Sequence, residues 1–411
     1  MNLLIVSGTS HFTAGGRVAG WGPAVEEIDH LATLFSRVVH IAPLHPGAAP
    51  VVMSPYRHRG VEFVPVKPAG GPGWLGKADV LLRAPGYLRT ILAHLGEADA
   101  VHVRCPSNIG LLAIVLLAFV RGPKLRWIKY AGEWRPRSPE AASYRLQRWW
   151  LRRGFSRSFV TVNGNWSGDP AHVRPFRNPS LTEDGVSRGR VRRAAKQLGD
   201  PLRLLFVGRL SKSKGAGRAI EVLARVLDSG FAAELDLAGD GPARPQFERL
   251  AGGLDVSAGV RFHGWLGRAA LDQLYAKSHF LVLPSESEGW PKVLSEAMAY
   301  GVVPLASDAG SIPQTLDECG AGRCFAQDDI DSFARAIVAY RGDPERWKRE
   351  SRLAMRAARL FTYEQYLVAV SEMLELPRPC FEWDSLTEEE LAAAGPPREA
   401  ARARSAGSHA R

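Results

Sequence analysis

The residues best placed to do chemistry in this chain lie in the segment 285–301, "SESEGWPKVLSEAMAYG", where Glu288 and Glu296 stand eight apart across a Gly289-Trp290-Pro291 break. A helix capped at Ser285 in the Ser-x-x-Glu manner would hold Gly289 and Pro291 in its interior, where proline alone costs about 3 kcal/mol. The better helix starts with Pro291 as its first residue and stops before Gly301. Its buried stripe is then Val293, Leu294, Ala297 and Met298, with Glu296 on the flank of Lys292 four residues earlier. Glu288 falls in the loop before the helix, and Glu296 stands roughly 7 Å along it at about 1.5 Å per residue. Two carboxylates so placed flank a helix mouth, where free N–H groups and the positive dipole end favour a phosphate. Taken alone, the segment serves equally well as a Lys292/Glu296 surface pair beside a solvated loop glutamate.

Other strand ends supply groups suited to the same ligand. "VGRLSKSKG" places Gly208, Arg209 and Lys214 between a strand and a helix; its glycines fit neither a Walker loop nor G-x-G-x-x-G, but its two cations can neutralise a diphosphate. "AGDGP" makes a glycine turn with Gly239 and Asp240, where a ligand can approach the backbone closely. Strand ends are often glycine-rich and charged, so each signal is weak by itself; three at successive ends of one sheet are not. The Asp329-Ile330-Asp331 triplet precedes the helical "SFARAIVAYRG" and reads as a helix cap rather than a metal pair.

The elements that must hold these groups alternate along the chain. Apolar runs at 202–208, 233–239, 260–264, 279–285 and 302–307 predict strands, separated by helical patterns, clearest at 217–229 and 268–278. The first half repeats the theme, with strands at 2–7, 37–42, 61–66, 98–103, 125–130 and 157–162 and helices near 24–36, 79–95, 107–120 and 139–153. Strict alternation implies an α/β protein, two doubly wound Rossmann-like domains facing a cleft, with ligands beyond the carboxyl ends of the strands. The division expected is 1–185, 186–375, and a poorly ordered tail at 376–411 with one short helix at 385–394.

Composition limits the function classes. A chain of 411 residues that is 45% hydrophobic can build two cores. The start "MNLLIVSGTS" has no basic leader or cleavage site, so no signal peptide is expected. The longest apolar run, 109–120, is about half of what spans a bilayer and reads as a buried helix. Cys105, Cys319, Cys324 and Cys380 form no C-x-x-C pair and have no histidine at ligand spacing, which points to a reducing cytoplasm without structural zinc. The net charge of +11 invites an anionic partner, concentrated at 126–157 and in "SRGRVRRAAKQ" at 187–197, yet no nucleic-acid-binding signature accompanies it.

Together, "FVGRLSKSKG", "LAGDGP" and "LVLPSESEGWPKVLSEAMAYGVVPLASDAGSIPQTL" resemble glycosyltransferase family 4, retaining nucleotide-sugar transferases of the GT-B fold. The likeness is strong over about 200–345 and looser before it, where "FRNPS" at 176–180 is similar to the Asn-containing element ahead of the interdomain linker. The resemblance implies catalytic roles for Glu288, Arg209 and Lys214. It implies a donor site of Gly208, Gly239, Asp240, His263, Gly289, Trp290, Pro291, Lys292, Val293 and Glu296, with Glu288 on the sugar, Glu296 on the ribose and the base near 262–267. Two cations and a helix terminus would meet the diphosphate charge, so no cofactor and no obligatory metal are expected.

The first half departs from the pattern. Gly15 and Gly16 match a glycine pair after the first strand, but "RVAGWGPAVEEIDHL" continues as a less usual loop, and "IKYAGEW" puts Ala131 where many relatives carry histidine. His102, Lys129 and Glu133 are the candidates for the acceptor side. In 139–159, Leu146, Trp149 and Trp150 fall on one helical face and Arg145, Arg148 and Arg152 on another. That pattern suits a helix lying on an anionic membrane surface, or equally a surface helix with inward tryptophans and solvated arginines. The expectation is a nucleotide-sugar transferase acting on a hydroxyl of a saccharide or lipid-linked acceptor, cytoplasmic or peripheral on the inner membrane face, with no nucleic acid partner. The competing readings are a non-catalytic nucleotide-sugar or nucleic-acid binder and a GT-B nucleotide-sugar epimerase.

Overall fold

The fold comes from a computed structural model that describes residues 1–379 and 381, apart from 72, 138, 194 and 195. In chain order the first lobe runs β1 (Asn2–Ser7), β2 (His11–Ala14), β3 (Arg17–Trp21), α1 (Gly22–Ala32), β4 (Arg37–Pro43), β5 (Met53–Pro55), β6 (Val61–Val66), α2 (Gly73–Leu95), β7 (Ala100–Cys105), α3 (Asn108–Phe119), β8 (Leu125–Tyr130), α4 (Ala142–Arg152), β9 (Phe159–Val162) and β10 (Val173–Pro175). Its seven-stranded parallel sheet has the order β10-β9-β8-β7-β1-β4-β6. The central strands are apolar runs because helices cover both faces; Leu3, Leu4, Ile5 and Val6 are all buried. The crossover from β7 to β8 begins where a polar residue starts its helix: Ser107 caps α3 by accepting the Gly110 N–H at 3.0 Å.

The loop expected after the first strand is instead structured. β2 and β3 form a hairpin that joins β5 in a small antiparallel sheet, and α1 follows directly. Gly15 and Gly16 are its two-residue turn, with φ of 55° and 78°, the left-handed pair a type I′ turn requires.

The second lobe runs α5 (Glu183–Arg193), β11 (Leu202–Val207), α6 (Ala216–Asp228), β12 (Ala233–Ala238), α7 (Arg244–Gly253), β13 (Val260–Gly264), α8 (Arg268–Lys277), β14 (Phe280–Leu283), α9 (Lys292–Ala299), β15 (Val303–Ser307), α10 (Ile312–Cys319), β16 (Arg323–Phe325), α11 (Ile330–Gly342), α12 (Pro344–Ala358) and α13 (Tyr363–Leu374). Its parallel sheet has the order β13-β12-β11-β14-β15-β16. The reversal from β11-β12 to β14-β15 puts the ends of β11 and β14 side by side, and a crevice opens there. Asp329 caps α11 by accepting the Ser332 N–H at 3.1 Å.

One element changes lobe. The expected division placed everything from 186 to 375 in the second lobe, but Tyr366, Leu367, Val370, Met373 and Leu374 of α13 fill a core with Leu3, Ile5, Val25 and Trp127 of the first. The chain thus crosses twice, once before α5 and once before α13. The proposed tail lies outside the described residues except for 376–379 and 381.

Candidate active site

Three glycine turns build the floor of the crevice. A Cβ on Gly239, after β12, would stand 1.9 Å from the Gly208 carbonyl oxygen after β11, and one on Gly241 would stand 2.4 Å from that of Leu210. The Gly239 N–H in turn reaches the Gly264 carbonyl at 2.8 Å. Asp240 holds this turn through the Gly241 N–H at 2.7 Å. Side chains larger than hydrogen would force the turns apart, so close approach rather than flexibility explains glycine here.

On this floor Lys214 donates to Glu288 Oε1 at 2.6 Å. Both loops are fixed: the Glu286 N–H bonds the Ser213 carbonyl at 2.9 Å, and a Cβ on Gly215 would lie 2.1 Å from the Pro284 carbonyl oxygen. Arg209 is exposed, and its guanidinium has no partner among the described residues. Glu296 accepts from the Tyr275 hydroxyl at 2.9 Å and pairs with Arg268 at 3.4 Å, so the alternative, a Lys292/Glu296 surface pair, is not made.

The helix between the two glutamates differs in detail from expectation. Pro291 is not its first residue but the extended residue before it (φ −74°, ψ 117°), and no side chain caps the start. The N–H groups of the first turn therefore point into the crevice without a side-chain acceptor. Val293 is half-exposed rather than buried; Ser295 and Ala299 join Leu294, Ala297 and Met298 on the buried face. Gly301 ends the helix at φ 66°.

Several sequence candidates serve other purposes. Trp290 does not line the crevice: it is buried and stacked on Phe361, ring centroids 4.6 Å apart and 5° from parallel, because an indole beside the Gly-Pro break finds its apolar partner below the loop. His263 is held by buried Asp236 at 2.6 Å, with Lys277 on the other carboxylate oxygen at 2.8 Å. Burial alone would raise Asp236, but hydrogen bonds from Lys277 and His263 keep it below the usual carboxylate range. His102 is a core residue, stacked 3.8 Å from Trp127, and burial drives its pKa far down, which removes it from the acceptor side. Gly15 and Gly16 sit at an exposed hairpin tip with open space around them.

Lys129 and Glu133 are buried where the lobes meet instead of facing solvent. Lys129 is buried between Glu27 Oε1 (2.5 Å) and Asn178 Oδ1 (2.6 Å), Asn178 being the asparagine of "FRNPS". Arg104 (2.7 Å) and, from the opposite lobe, Lys292 (3.4 Å) converge on the same Glu27 carboxyl, with the Tyr366 hydroxyl at 3.3 Å. Burial would favour a neutral Glu27; the surrounding cations outweigh it and keep it ionised. Burial also pushes Lys129, the most enclosed of the three cations, down to about 7. Glu133 Oε2 accepts from the Ser287 hydroxyl at 2.6 Å and its Oε1 from the Gly310 N–H at 3.2 Å, fastening the first lobe to the residue before Glu288. Ala131 also meets the second lobe closely, since a Cβ on Gly289 would stand 2.1 Å from its carbonyl oxygen.

The second-lobe sequence, residues 188–358, matches the family model for glycosyl transferases group 1. Over those residues the chain is similar to the group 1 glycosyl transferases. Its relatives include the GDP-mannose-dependent alpha-(1-6)-phosphatidylinositol dimannoside mannosyltransferase of Mycobacterium tuberculosis, 32% identical over 181 residues. That match covers 43% of this chain and 45% of the relative, so it spans less than half the length of either. Over the whole fold, the sucrose-phosphate synthase of Thermosynechococcus elongatus superposes with a TM-score of 0.66 at 17% identity, covering 91% of this chain and 98% of the other. Anabaena HepE, solved with UDP, does so at 0.65 and 16%, over 91% and 100%. The two lobes thus have the GT-B fold.

The sequence reading missed Glu26 and Glu27 of α1 and Arg268 of α8. The signal for Glu27 was a charge on the apolar stripe of Ala24, Ile28 and Leu31, where a carboxylate stays only if paired. Glu26 lies in the cleft, hemmed in by protein yet open to solvent; that crowding, opposed by Lys292 and Arg268, raises its carboxyl.

Three helices of the first lobe leave apolar side chains in water. On α2, Trp74, Leu81, Leu82 and Leu92 recur at helical spacing on the outer face, with Trp74 75% and Leu82 80% exposed. Phe119 at the end of α3 is also exposed. On α4, Leu146 and Trp149 face out beside Phe155, while Trp150 turns inward to the Ile114 carbonyl at 3.2 Å. The surface and buried readings of this segment therefore divide between the two tryptophans. Among the described residues no helix is long and apolar enough to cross a membrane.

Proposed function

We propose that this protein is a retaining glycosyltransferase that moves a sugar from a UDP- or GDP-sugar to a hydroxyl of a saccharide or lipid-linked acceptor. The observation that carries the reading is the Lys214–Glu288 pair at 2.6 Å, set beside the uncapped start of α9 and Arg209, which has no partner among the described residues. In this reading the donor diphosphate lies at the helix start, where Arg209 and Lys214 meet the charge that grows as the nucleoside diphosphate leaves. Glu288, released from Lys214 as the phosphate takes that cation, accepts from hydroxyls of the donor sugar. Glu296, held in place by Tyr275 and Arg268, accepts from the ribose. The bond from the anomeric carbon to the phosphate oxygen breaks while the acceptor oxygen bonds that carbon from the same face. The acceptor proton passes to the departing phosphate oxygen, so no histidine at Ala131 is needed. Arg209, Lys214 and the helix terminus supply the countercharge, and turnover persists in EDTA.

A lipid-linked acceptor is supported by the exposed Leu146 and Trp149 of α4 alongside exposed Arg145, Arg152 and Arg153, which suit an anionic membrane surface at roughly 1 kcal/mol per basic residue. The mannosyltransferase relative is likewise named for a phosphatidylinositol acceptor. Glu288→Gln tests the core of the proposal: turnover with a responsive donor falls roughly a hundredfold or more while nucleotide affinity holds. Unchanged turnover would remove Glu288 from the donor site. Thermal stabilisation by a panel of UDP-, GDP- and ADP-sugars identifies that donor.

A further inference from the structure

Between the loop at 134–140 and α4 lies an open cavity of about 520 Å³ lined by Arg135, Arg137, Arg145, Arg148 and Arg152, with Glu140 as its one lining carboxylate. Some of this charge is spent. Arg148 is bidentate on Glu140 and also donates to the Tyr130 hydroxyl at 3.1 Å. Arg152 and Arg135 share Asp169 at 3.5 and 3.3 Å, and Arg137 reaches Asp308 of the other lobe. Some is not. Arg145 is exposed with no ion-pair partner among the described residues, and the buried Nε of Arg135 has no hydrogen-bond partner. Guanidinium groups crowded beyond their carboxylates repel one another unless an anion joins them, and their planar forks suit phosphate oxygens.

The cavity also lies between two features already described. Its loop begins next to Glu133, which is bonded to Ser287, the residue before Glu288. Its outer wall is α4, which exposes Leu146 and Trp149. We infer that this arginine pocket binds the phosphate of a lipid acceptor, whose hydroxyl end enters the cleft and whose hydrocarbon chain lies on the apolar face. The inference rests on the lipid-acceptor reading above and adds the chemical group that the enzyme recognises.

The test uses the full chain and two exposed arginines, Arg145→Ser and Arg137→Ser, neither of which carries the donor chemistry proposed above. The probes are dihexanoyl phosphatidic acid below its micellar concentration, dihexanoylglycerol, and inorganic phosphate, with binding followed by calorimetry. The wild type binds the phosphatidic acid, and each substitution weakens it roughly tenfold, as loss of a charge-assisted contact should. UDP or GDP affinity stays unchanged in both variants. Equal binding by wild type and variants, or equal affinity for dihexanoylglycerol, overturns the pocket. Inorganic phosphate binding as tightly as the lipid overturns the lipid assignment. Loss of nucleotide affinity in the variants would assign the arginines to the donor instead. Failure of the membrane reading is seen separately, in flotation with phosphatidylcholine vesicles with and without phosphatidylglycerol, because the calorimetric probes contain no bilayer.

Discussion

Arg209 and Lys214 have the same charge and nearly the same place in the crevice, but their surroundings differ. Lys214 neutralises Glu288, whose side chain is 10% exposed, whereas Arg209 has no partner among the described residues. Removing Lys214 strands a mostly buried carboxylate; removing Arg209 strands nothing in the unliganded protein. Arg209→Ala is therefore expected to leave Tm within about a degree while kcat falls by roughly two orders of magnitude, near 3 kcal/mol of transition-state stabilisation. Lys214→Ala should lose comparable activity and also several degrees of Tm. Calorimetry beside steady-state kinetics separates the two. An equal drop in Tm for both would mean that Arg209 has a structural partner in solution.

At the scale of elements, the join between the lobes is made of backbone as much as side chains. A Cβ on Gly289 would collide with the Ala131 carbonyl oxygen at 2.1 Å, and Asn163 and the Gly132 carbonyl close the other side at 3.0 Å. The two carbonyls cannot yield without moving the first lobe. Gly289→Ala is expected to hold the cleft ajar, lowering kcat at least tenfold while the helical content of both lobes is kept; small-angle scattering should report a larger radius of gyration. An unchanged radius with full activity would show that the 131–133 loop gives way. This join also marks where sequence reading stops. The buried parallel strands were legible because both faces are covered, and each appears as an apolar run. Glu288, Glu296, Arg209 and Lys214 were legible because they cluster at the ends of such runs. The Glu27 cluster was not, since its partners Arg104, Lys129 and Lys292 lie 77, 102 and 265 residues away. α13 shows the same limit: its period gives an apolar face but not the lobe whose core receives it. Trp290 was misplaced because an aromatic at a ligand loop and one anchoring that loop look alike in sequence.

Over the whole molecule, buried histidines set the response to acid. Burial, the largest cause in each case, pushes His11, His30 and His279 down to about 4, and His40 and His102 well below their usual range. Two of them belong to a hydrogen-bonded ring with one consistent direction. The Thr9 carbonyl can only accept, so His11 Nδ1 donates to it (2.8 Å) and His11 Nε2 must accept from the Tyr56 hydroxyl (2.7 Å). That hydroxyl then accepts from His40 Nδ1 (2.6 Å), and His40 Nε2 accepts from Ser7 (2.7 Å), whose oxygen takes the Thr9 N–H at 3.2 Å. Every nitrogen is committed in the neutral form, and an added proton has no acceptor. A base whose folded pKa is depressed contributes its full stability above the unfolded value of about 6.5 and loses it as pH falls toward about 4. Asp29 acts in the opposite sense: burial raises it to about 7, so the folded state holds its proton through this window. The balance is about four protons taken up on unfolding, a slope near 5 kcal/mol per pH unit at its steepest. Tm should fall steeply below pH 6. Four of the five histidines, His11, His30, His40 and His102, lie in the first lobe, and His279 lies in the second. Acid should therefore loosen the first lobe first and split a single endotherm at pH 7 into two at pH 5, the earlier one accompanied by loss of the Trp127 environment beside His102. A Tm that stays level from pH 6.5 to 5, or one endotherm throughout, would mean that these histidines are protonated in the folded protein.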